Sequence, residues 1–166
     1  HDERTRQADS EFSRIHHSSA DTPEECVLLL AHAFCDVQVG IEVLMEPYQS
    51  WFQQQDLSES YAYYADLLRM LDFQRPGERW LLKSPAHLWG LNALLEQFPD
   101  ACLVMTHRDP LECIPSYCSM IRALLESRGC APMPNLGGAV LEYLARSLER
   151  GLRGFGPRRI LSLIHI

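Results

Sequence analysis

Two short apolar segments of the sequence end in basic residues. "RWLLKS" (79–84) carries Lys83 near its end, and "ACLVMTH" (101–107) is followed by Arg108. Both segments are apolar throughout, which is typical of parallel strands covered on both faces. In an open α/β sheet ligands bind at the carboxyl ends of the strands, so neighbouring strands would bring Lys83 and Arg108 to one edge, about 5 Å apart. Two cations at that distance repel each other unless an anion lies between them, so the pattern predicts a phosphate or sulfate site.

A serine eight residues after Arg108 fits the same anion. Ser116 lies about six residues into the predicted helix, or about 9 Å along its axis, and an extended arginine spans that distance. Arg108 and Ser116 can therefore hold one phosphate, through a planar fork of donors and a hydroxyl. Pro115 removes a helix hydrogen bond, so the helix either kinks there or begins later. From the residues alone, other interpretations stay open: Asp109 as a helix N-cap, Arg108 in a surface ion pair and Lys83 as a solvated strand end.

The elements that would position these residues follow from the periodicity of the sequence. Residues 21–74 are predicted to be largely helical, with Tyr61, Tyr64, Leu68 and Leu71 on one apolar stripe that is expected to form core. Residues 79–128 are predicted to form a βαβα core whose first helix is "PAHLWGLNALLEQF" (85–98), and residues 135–151 to form a further amphipathic helix. The string "LSLIHI" at 161–166 resembles the translation of a common sequencing adapter, so we expect this tail to be non-native. Residues 1–160 are then expected to form one partial domain.

Composition narrows the function classes. The 166 residues are 46% hydrophobic and carry a net charge of −7, which is typical of a globular domain and argues against a nucleic-acid partner. No apolar run approaches the roughly 20 residues that span a bilayer, and the polar first residues lack the apolar region of a signal peptide, so we expect a cytoplasmic protein. The six cysteines lack the paired spacing of a zinc site, so no metal is expected.

One long stretch resembles a known family. "RWLLKSPAHLWGLNALLEQFPDACLVMTHRDPLECIPSYCSM" (79–120) is similar to the bacterial-type sulfotransferases, with W-L-L-K-S-P-x-H, F-P-D-A and H-R-D-P-x5-S in the expected order. The resemblance implies an α/β fold of the P-loop NTPase-like, three-layer type with a parallel sheet, here truncated and preceded by a helical part. It also implies 3′-phosphoadenosine 5′-phosphosulfate (PAPS) as co-substrate, with Arg108 and Ser116 on its 3′-phosphate. The acceptor would carry a hydroxyl or amine, and the sequence leaves open whether it is a small molecule, a lipid, a carbohydrate or a peptide tyrosine. The oligomeric state is also left open.

The resemblance also suggests catalytic roles. Sulfuryl transfer, like phosphoryl transfer, needs in-line reactants and cations on the developing charge, which makes Lys83 the candidate that neutralises the leaving phosphate. A base must take the acceptor proton, and His87 is the first candidate, because a helix N-terminus should lower its pKa and keep the imidazole neutral. A partly buried histidine bonded to backbone is an interpretation that stays open, and His107 is a second candidate base. Further candidates on the acceptor side are His16, His17, Glu24 and Glu25.

Two sequence features of the family are missing. No K/R-S-G-T-T loop, which would cradle the 5′-phosphosulfate, occurs in the sequence, and neither does a G-x-x-G-x-x-K segment. We therefore expect the chain to hold the 3′-phosphate half of the donor site and to be inactive in isolation. A non-catalytic nucleotide-binding or interaction module of the same fold is the alternative. An ATP-dependent kinase would need a G-x-x-x-x-G-K-[ST] loop, which the sequence lacks.

Overall fold

The chain divides into two compact units. A computed structural model describes residues 22–35, 37, 46–155 and 161–164. The first unit comprises the described residues from 24 to 103 together with 147–155, and the second comprises 22–23, 104–146 and 161–164. Lys83 and His87 therefore belong to the first unit, and Arg108 and Ser116 belong to the second.

The first unit is built from helices. They are α1 (Val27–Ala31), α2 (Glu46–Phe52), α3 (Ser58–Gln74), a 3₁₀ helix (Pro85–Trp89) and α4 (Leu91–Gln97). The apolar stripe predicted along α3 forms core, as Tyr61 and Tyr64 are each 1% exposed and Leu68 is 3% exposed. These positions are three and four residues apart, so they lie on one face of the helix. Helices α1, α2 and α3 lie within the range 21–74 that was predicted to be largely helical.

The chain makes a close approach where the 3₁₀ helix ends. Gly90 lies between the 3₁₀ helix and α4, and a Cβ placed there would stand 2.2 Å from Cε2 of Tyr61. The predicted single helix after Pro85 is therefore split at this glycine. The missing side chain lets the backbone pack directly on the Tyr61 ring.

An arginine from the last helix ties together the turn that follows α2. Arg150 donates from Nη1 to the carbonyl of Gln53 at 2.6 Å and from Nη2 to the carbonyl of Gln55 at 2.7 Å. Its guanidinium also lies 5.9 Å from the ring centroid of Trp89, a buried residue. Two backbone carbonyls that end a helix are thereby satisfied by one planar cation.

The strand predicted over 79–84 is not formed. Residues 79–84 have no strand structure, and the side chain of Leu81 is 99% exposed. A strand exists only with a hydrogen-bonded neighbour. The described backbone hydrogen bonds of residues 79–84 come from the Cys26 amide to the Lys83 carbonyl at 3.0 Å and from the His87 amide to the Ser84 carbonyl at 3.3 Å, and neither forms a strand ladder. Residues 79–84 thus have the apolar composition of a strand but not the ladder of backbone hydrogen bonds that a strand needs. The predicted βαβα core is correspondingly reduced to its later part.

The second unit contains the strand–helix pair that the sequence predicted. Strand β1 (Val104–His107) is followed by α5 (Pro110–Ser127), and the first part of α6 (Leu136–Phe155) belongs to the same unit. Strand β1 pairs in parallel with β2 (Leu161–Ile164), so the described sheet is this parallel pair. The predicted helix at 135–151 corresponds to α6, and the non-native origin of 161–166 stays a prediction.

The start of α5 settles the question raised by Pro115. Asp109 is the N-cap, and its carboxylate accepts a hydrogen bond from the Leu111 amide at 2.8 Å. The helix therefore begins at Pro110 and continues through Pro115, so a later start is excluded. Asp109 acts as the cap rather than as an anion ligand.

Among the helices in the described ranges, none is both long and apolar enough to cross a bilayer.

Candidate functional site

Two residues near the start of the first unit hold Lys83. The Cys26 amide donates to the Lys83 carbonyl, and the Lys83 amide donates to Sγ of Cys26, both at 3.0 Å. The Lys83 ammonium forms an ion pair with the Glu25 carboxylate. The Lys83 side chain is 71% exposed and that of Glu25 is 29% exposed, so the ammonium lies at the surface above a fixed backbone. Lys83 therefore does not end a strand, as one interpretation of the sequence had it, but its ammonium is exposed, and it is paired with Glu25.

His87 lies on the 3₁₀ helix, close to an aromatic pair from α3. Its Nδ1 is 2.8 Å from the Tyr61 hydroxyl, and its ring centroid lies 5.8 Å from that of Tyr61 and 5.9 Å from that of Tyr64. Burial lowers the pKa of His87 to about 4, so the imidazole is neutral at pH 7. The neutral state was predicted from the sequence, but its cause is desolvation rather than a helix N-terminus. The partner that the alternative interpretation expected, a backbone group, is instead the side chain of Tyr61.

The hydrogen bond between His87 and Tyr61 restricts what the imidazole can do. Burial raises the pKa of the Tyr61 hydroxyl, so it stays protonated and can donate to Nδ1 of His87. The proton of the neutral ring then lies on Nε2, which is buried and has no hydrogen-bond partner among the described residues. In the other tautomer Nδ1 donates to Tyr61, and Nε2 carries the free lone pair that a base requires. Base catalysis at Nε2 therefore needs the second tautomer.

The strand–helix pair of the second unit presents Arg108 and Ser116 to solvent. Arg108 directly follows β1, and its guanidinium lies 3.7 Å from the Glu112 carboxylate. Ser116 is exposed on α5, four residues after Glu112, so these two residues are neighbours along one helical row. The surface ion pair that the sequence left open for Arg108 is present. A phosphate bound by Arg108 would therefore have the Glu112 carboxylate as a neighbour on the same guanidinium.

The predicted residues thus fall into two groups. Lys83 and His87 lie with Glu25 and Tyr61 in the first unit, and Arg108 lies near Ser116 on the strand–helix pair of the second unit. The convergence of Lys83 with Arg108 on one anion stays a prediction. His107 is the last residue of β1, in register with Ile164. His16 and His17 lie outside the described residues.

Sequence reasoning missed the partners of the two catalytic candidates. Glu25 is separated from Lys83 by 58 residues, and Tyr61 is separated from His87 by 26. Glu25 had been considered only as an acceptor-side residue, and Tyr61 only as core. The one available signal was the hydroxyl of Tyr61, since a buried tyrosine usually bonds through its O–H.

Two further features lie apart from these residues. A surface cavity of about 230 Å³ is lined by residues that include Asp56, Asn92, Glu96 and Arg150, and none of the predicted site residues lines it. Across the described ranges, no three or more His, Cys, Asp or Glu side chains are grouped so as to hold a metal ion.

The chain is similar to known sulfotransferases. The model of the Sulfotransferase family matches residues 1–165. The crystal structure of sulfotransferase STF1 from Mycobacterium tuberculosis H37Rv (type1 form) matches with a TM-score of 0.79 and 27% sequence identity, over 96% of this chain and 47% of that one. The present chain therefore spans about half the length of the mycobacterial protein. Among curated proteins, a comparison found no match.

Proposed function

Because this chain belongs to the sulfotransferase family, we propose that it forms part of a site transferring a sulfuryl group from PAPS to a hydroxyl or amine acceptor. The acceptor classes that this proposal covers are a small molecule, a lipid and a carbohydrate. The chain contributes the half of the donor site that binds the 3′-phosphate.

The observation that carries the proposal is the exposed pair Arg108 and Ser116. A strand ending at His107 delivers Arg108 to solvent, and the capped helix that follows carries Ser116 on its exposed surface. A guanidinium offers several donors to a phosphate, and the serine hydroxyl adds one more. The N-terminus of an 18-residue helix adds a favourable field for an anion close to Arg108.

Roles for Lys83 and His87 complete the proposal. Lys83 neutralises the charge that develops on the leaving phosphate, as its exposed ammonium allows. His87 takes the acceptor proton in the tautomer that leaves Nε2 unprotonated, and its depressed pKa of about 4 keeps it neutral at pH 7. Because Nε2 is buried, this role requires a rearrangement that exposes Nε2 to the acceptor. The convergence of these residues with Arg108 is part of the proposal.

The test is titration of the protein with adenosine 3′,5′-bisphosphate, the product that PAPS would leave. Replacing Arg108→Ala removes charge-assisted hydrogen bonds worth about 1.5–3 kcal/mol, so the affinity should fall about 10-fold to 100-fold. Ser116→Ala, which removes one hydroxyl donor, should weaken binding less. Isothermal titration calorimetry measures both changes.

Matched controls come from the same helix. Arg122→Ala removes an exposed arginine of α5 and makes the same change in net charge, and Ser119→Ala removes a hydroxyl that donates to the Pro115 carbonyl. Both control variants should bind the bisphosphate as the wild type does. Equal losses in Arg108→Ala and Arg122→Ala would reduce the effect to net charge and defeat the 3′-phosphate assignment.

A non-catalytic nucleotide-binding module is the second candidate, favoured by the absence of a K/R-S-G-T-T loop from the sequence. Both candidates predict bisphosphate binding that depends on Arg108. Only the transferase predicts release of the bisphosphate when PAPS and an acceptor are supplied together. An assay of bisphosphate production over a panel of carbohydrate, lipid and small-alcohol acceptors separates the two.

A further inference from the structure

The backbone of Lys83 is anchored to the core. Cys26, which is 4% exposed, exchanges two hydrogen bonds with it, one through the Cys26 amide and one through Sγ, both at 3.0 Å. Glu25 immediately precedes this buried cysteine, and its carboxylate contacts the Lys83 ammonium. Consecutive residues therefore hold both ends of Lys83, the backbone through Cys26 and the charge through Glu25.

The ammonium end of this arrangement can exchange partners. The Lys83 side chain is 71% exposed, and exposed ion pairs contribute only about 0.2–1 kcal/mol. An incoming anion can therefore replace the Glu25 carboxylate without disturbing the buried anchor at Cys26. The Glu25 carboxylate and a ligand anion would compete for the same ammonium.

The choice of lysine at this position is informative. Lys83 is the single lysine of the chain, since 14 of the 15 Lys and Arg residues are arginines. An arginine would hold a carboxylate through a rigid planar fork, whereas lysine is a compact charge on a flexible stem with three rotatable donors. The cation in the described ion pair with Glu25 is thus the residue type better suited to changing partners.

We propose that Glu25 is a positioning residue that holds the Lys83 ammonium until an anionic group of the donor displaces it. This inference rests on the proposed function and adds a competing carboxylate to it. Two consequences follow. Removing the Glu25 charge should strengthen anion binding, because the competitor is gone. Replacing Lys83 with arginine should weaken anion binding, because the guanidinium stays with Glu25.

The single lysine makes the test specific. Reductive methylation with ¹³C-formaldehyde retains the positive charge and labels one side chain besides the amino terminus, so the Lys83 signal is resolved by NMR. For Glu25→Gln, we expect the signal in the absence of ligand to move from its wild-type position. We also expect adenosine 3′,5′-bisphosphate to bind about twofold to fivefold more tightly, the range that one exposed ion pair supports.

Three further variants complete the design. Asp66→Asn is the charge-matched control, because it breaks the exposed ion pair of Asp66 with Arg69 at 2.5 Å and should change neither observable. Glu25→Asp keeps the carboxylate and should return the affinity towards the wild-type value. Lys83→Arg should bind the bisphosphate about twofold to fivefold more weakly, and it tests the inference should Glu25→Gln fail to fold.

The outcomes separate this inference from the proposed function. If the wild type binds the bisphosphate and Arg108→Ala binds it about 10-fold to 100-fold more weakly, the assignment of the 3′-phosphate site stands. The role of Glu25 alone would then be overturned by either of two results. One is unchanged or weaker binding of the bisphosphate by a folded Glu25→Gln variant, and the other is unchanged or tighter binding by Lys83→Arg. Absence of wild-type binding would overturn both.

Discussion

The buried imidazole of His87 should make the stability of the first unit depend on pH. Burial lowers the pKa of His87 to about 4, from 6.5 for an unperturbed histidine. Between these two values the unfolded chain binds a proton that the folded chain excludes, so stability falls as the pH falls through this window. The pKa of His87 thus differs by about 2.5 between the unfolded and the folded chain. At about 1.36 kcal/mol per pKa unit, this difference can lower the free energy of unfolding by at most about 3.4 kcal/mol. About 2.5 kcal/mol of it should be lost between pH 7 and pH 4.5.

Urea unfolding followed by tryptophan fluorescence measures this loss of stability in the first unit, because that unit contains all three tryptophans, at positions 51, 80 and 89. His87→Gln removes the titrating group and keeps an amide that can accept from the Tyr61 hydroxyl. The wild type should lose about 2.5 kcal/mol more than this variant over that pH range. His32→Gln, at an exposed position, controls for removing an imidazole as such and should behave as the wild type does. Parallel loss of stability in the wild type and His87→Gln would refute the reasoning.

Two further predictions concern the packing of the same unit. Gly90→Ala should destabilise it by about 1–3 kcal/mol, because the added methyl group would stand 2.2 Å from the Tyr61 ring, whereas Gly77→Ala meets nothing within 4 Å and should be far milder. Similar midpoints for the two variants in urea would show that the ring yields to the methyl group. Arg150→Met keeps most of the stem over Trp89 but leaves two loop carbonyls without their donor, which should cost about 1–3 kcal/mol. A thermal midpoint equal to that of the wild type would contradict that role.

The parts of the fold that the sequence predicted are those specified by neighbouring residues. Asp109 followed by proline marks the start of α5, because a carboxylate can accept from a free helix amide and proline needs no donor in the first turn. The stripe of Tyr61, Tyr64 and Leu68 predicted buried positions on α3, because a period of three to four residues defines one helical face. Both signals lie within a few residues of the structure they specify.

The parts that could not be predicted depend on residues far apart in the sequence. The apolar run at 79–84 has the composition of a strand, but composition carries no information about whether a partner strand is present. The contacts of Glu25 with Lys83 and of Tyr61 with His87 cross 58 and 26 residues. No local pattern specifies either pair.

This difference has a consequence for the two halves of the proposed site. Arg108 is placed by the end of a strand that has a described partner, β2, and by the cap of the adjacent helix α5. Lys83 lacks a strand to hold it, and its backbone depends on the thiol and amide of Cys26. Substitutions around Cys26 should therefore change the position of Lys83, although Cys26 lies 57 residues away in sequence. The motif specifies that a lysine is present, and the packing of the first unit determines where its ammonium lies.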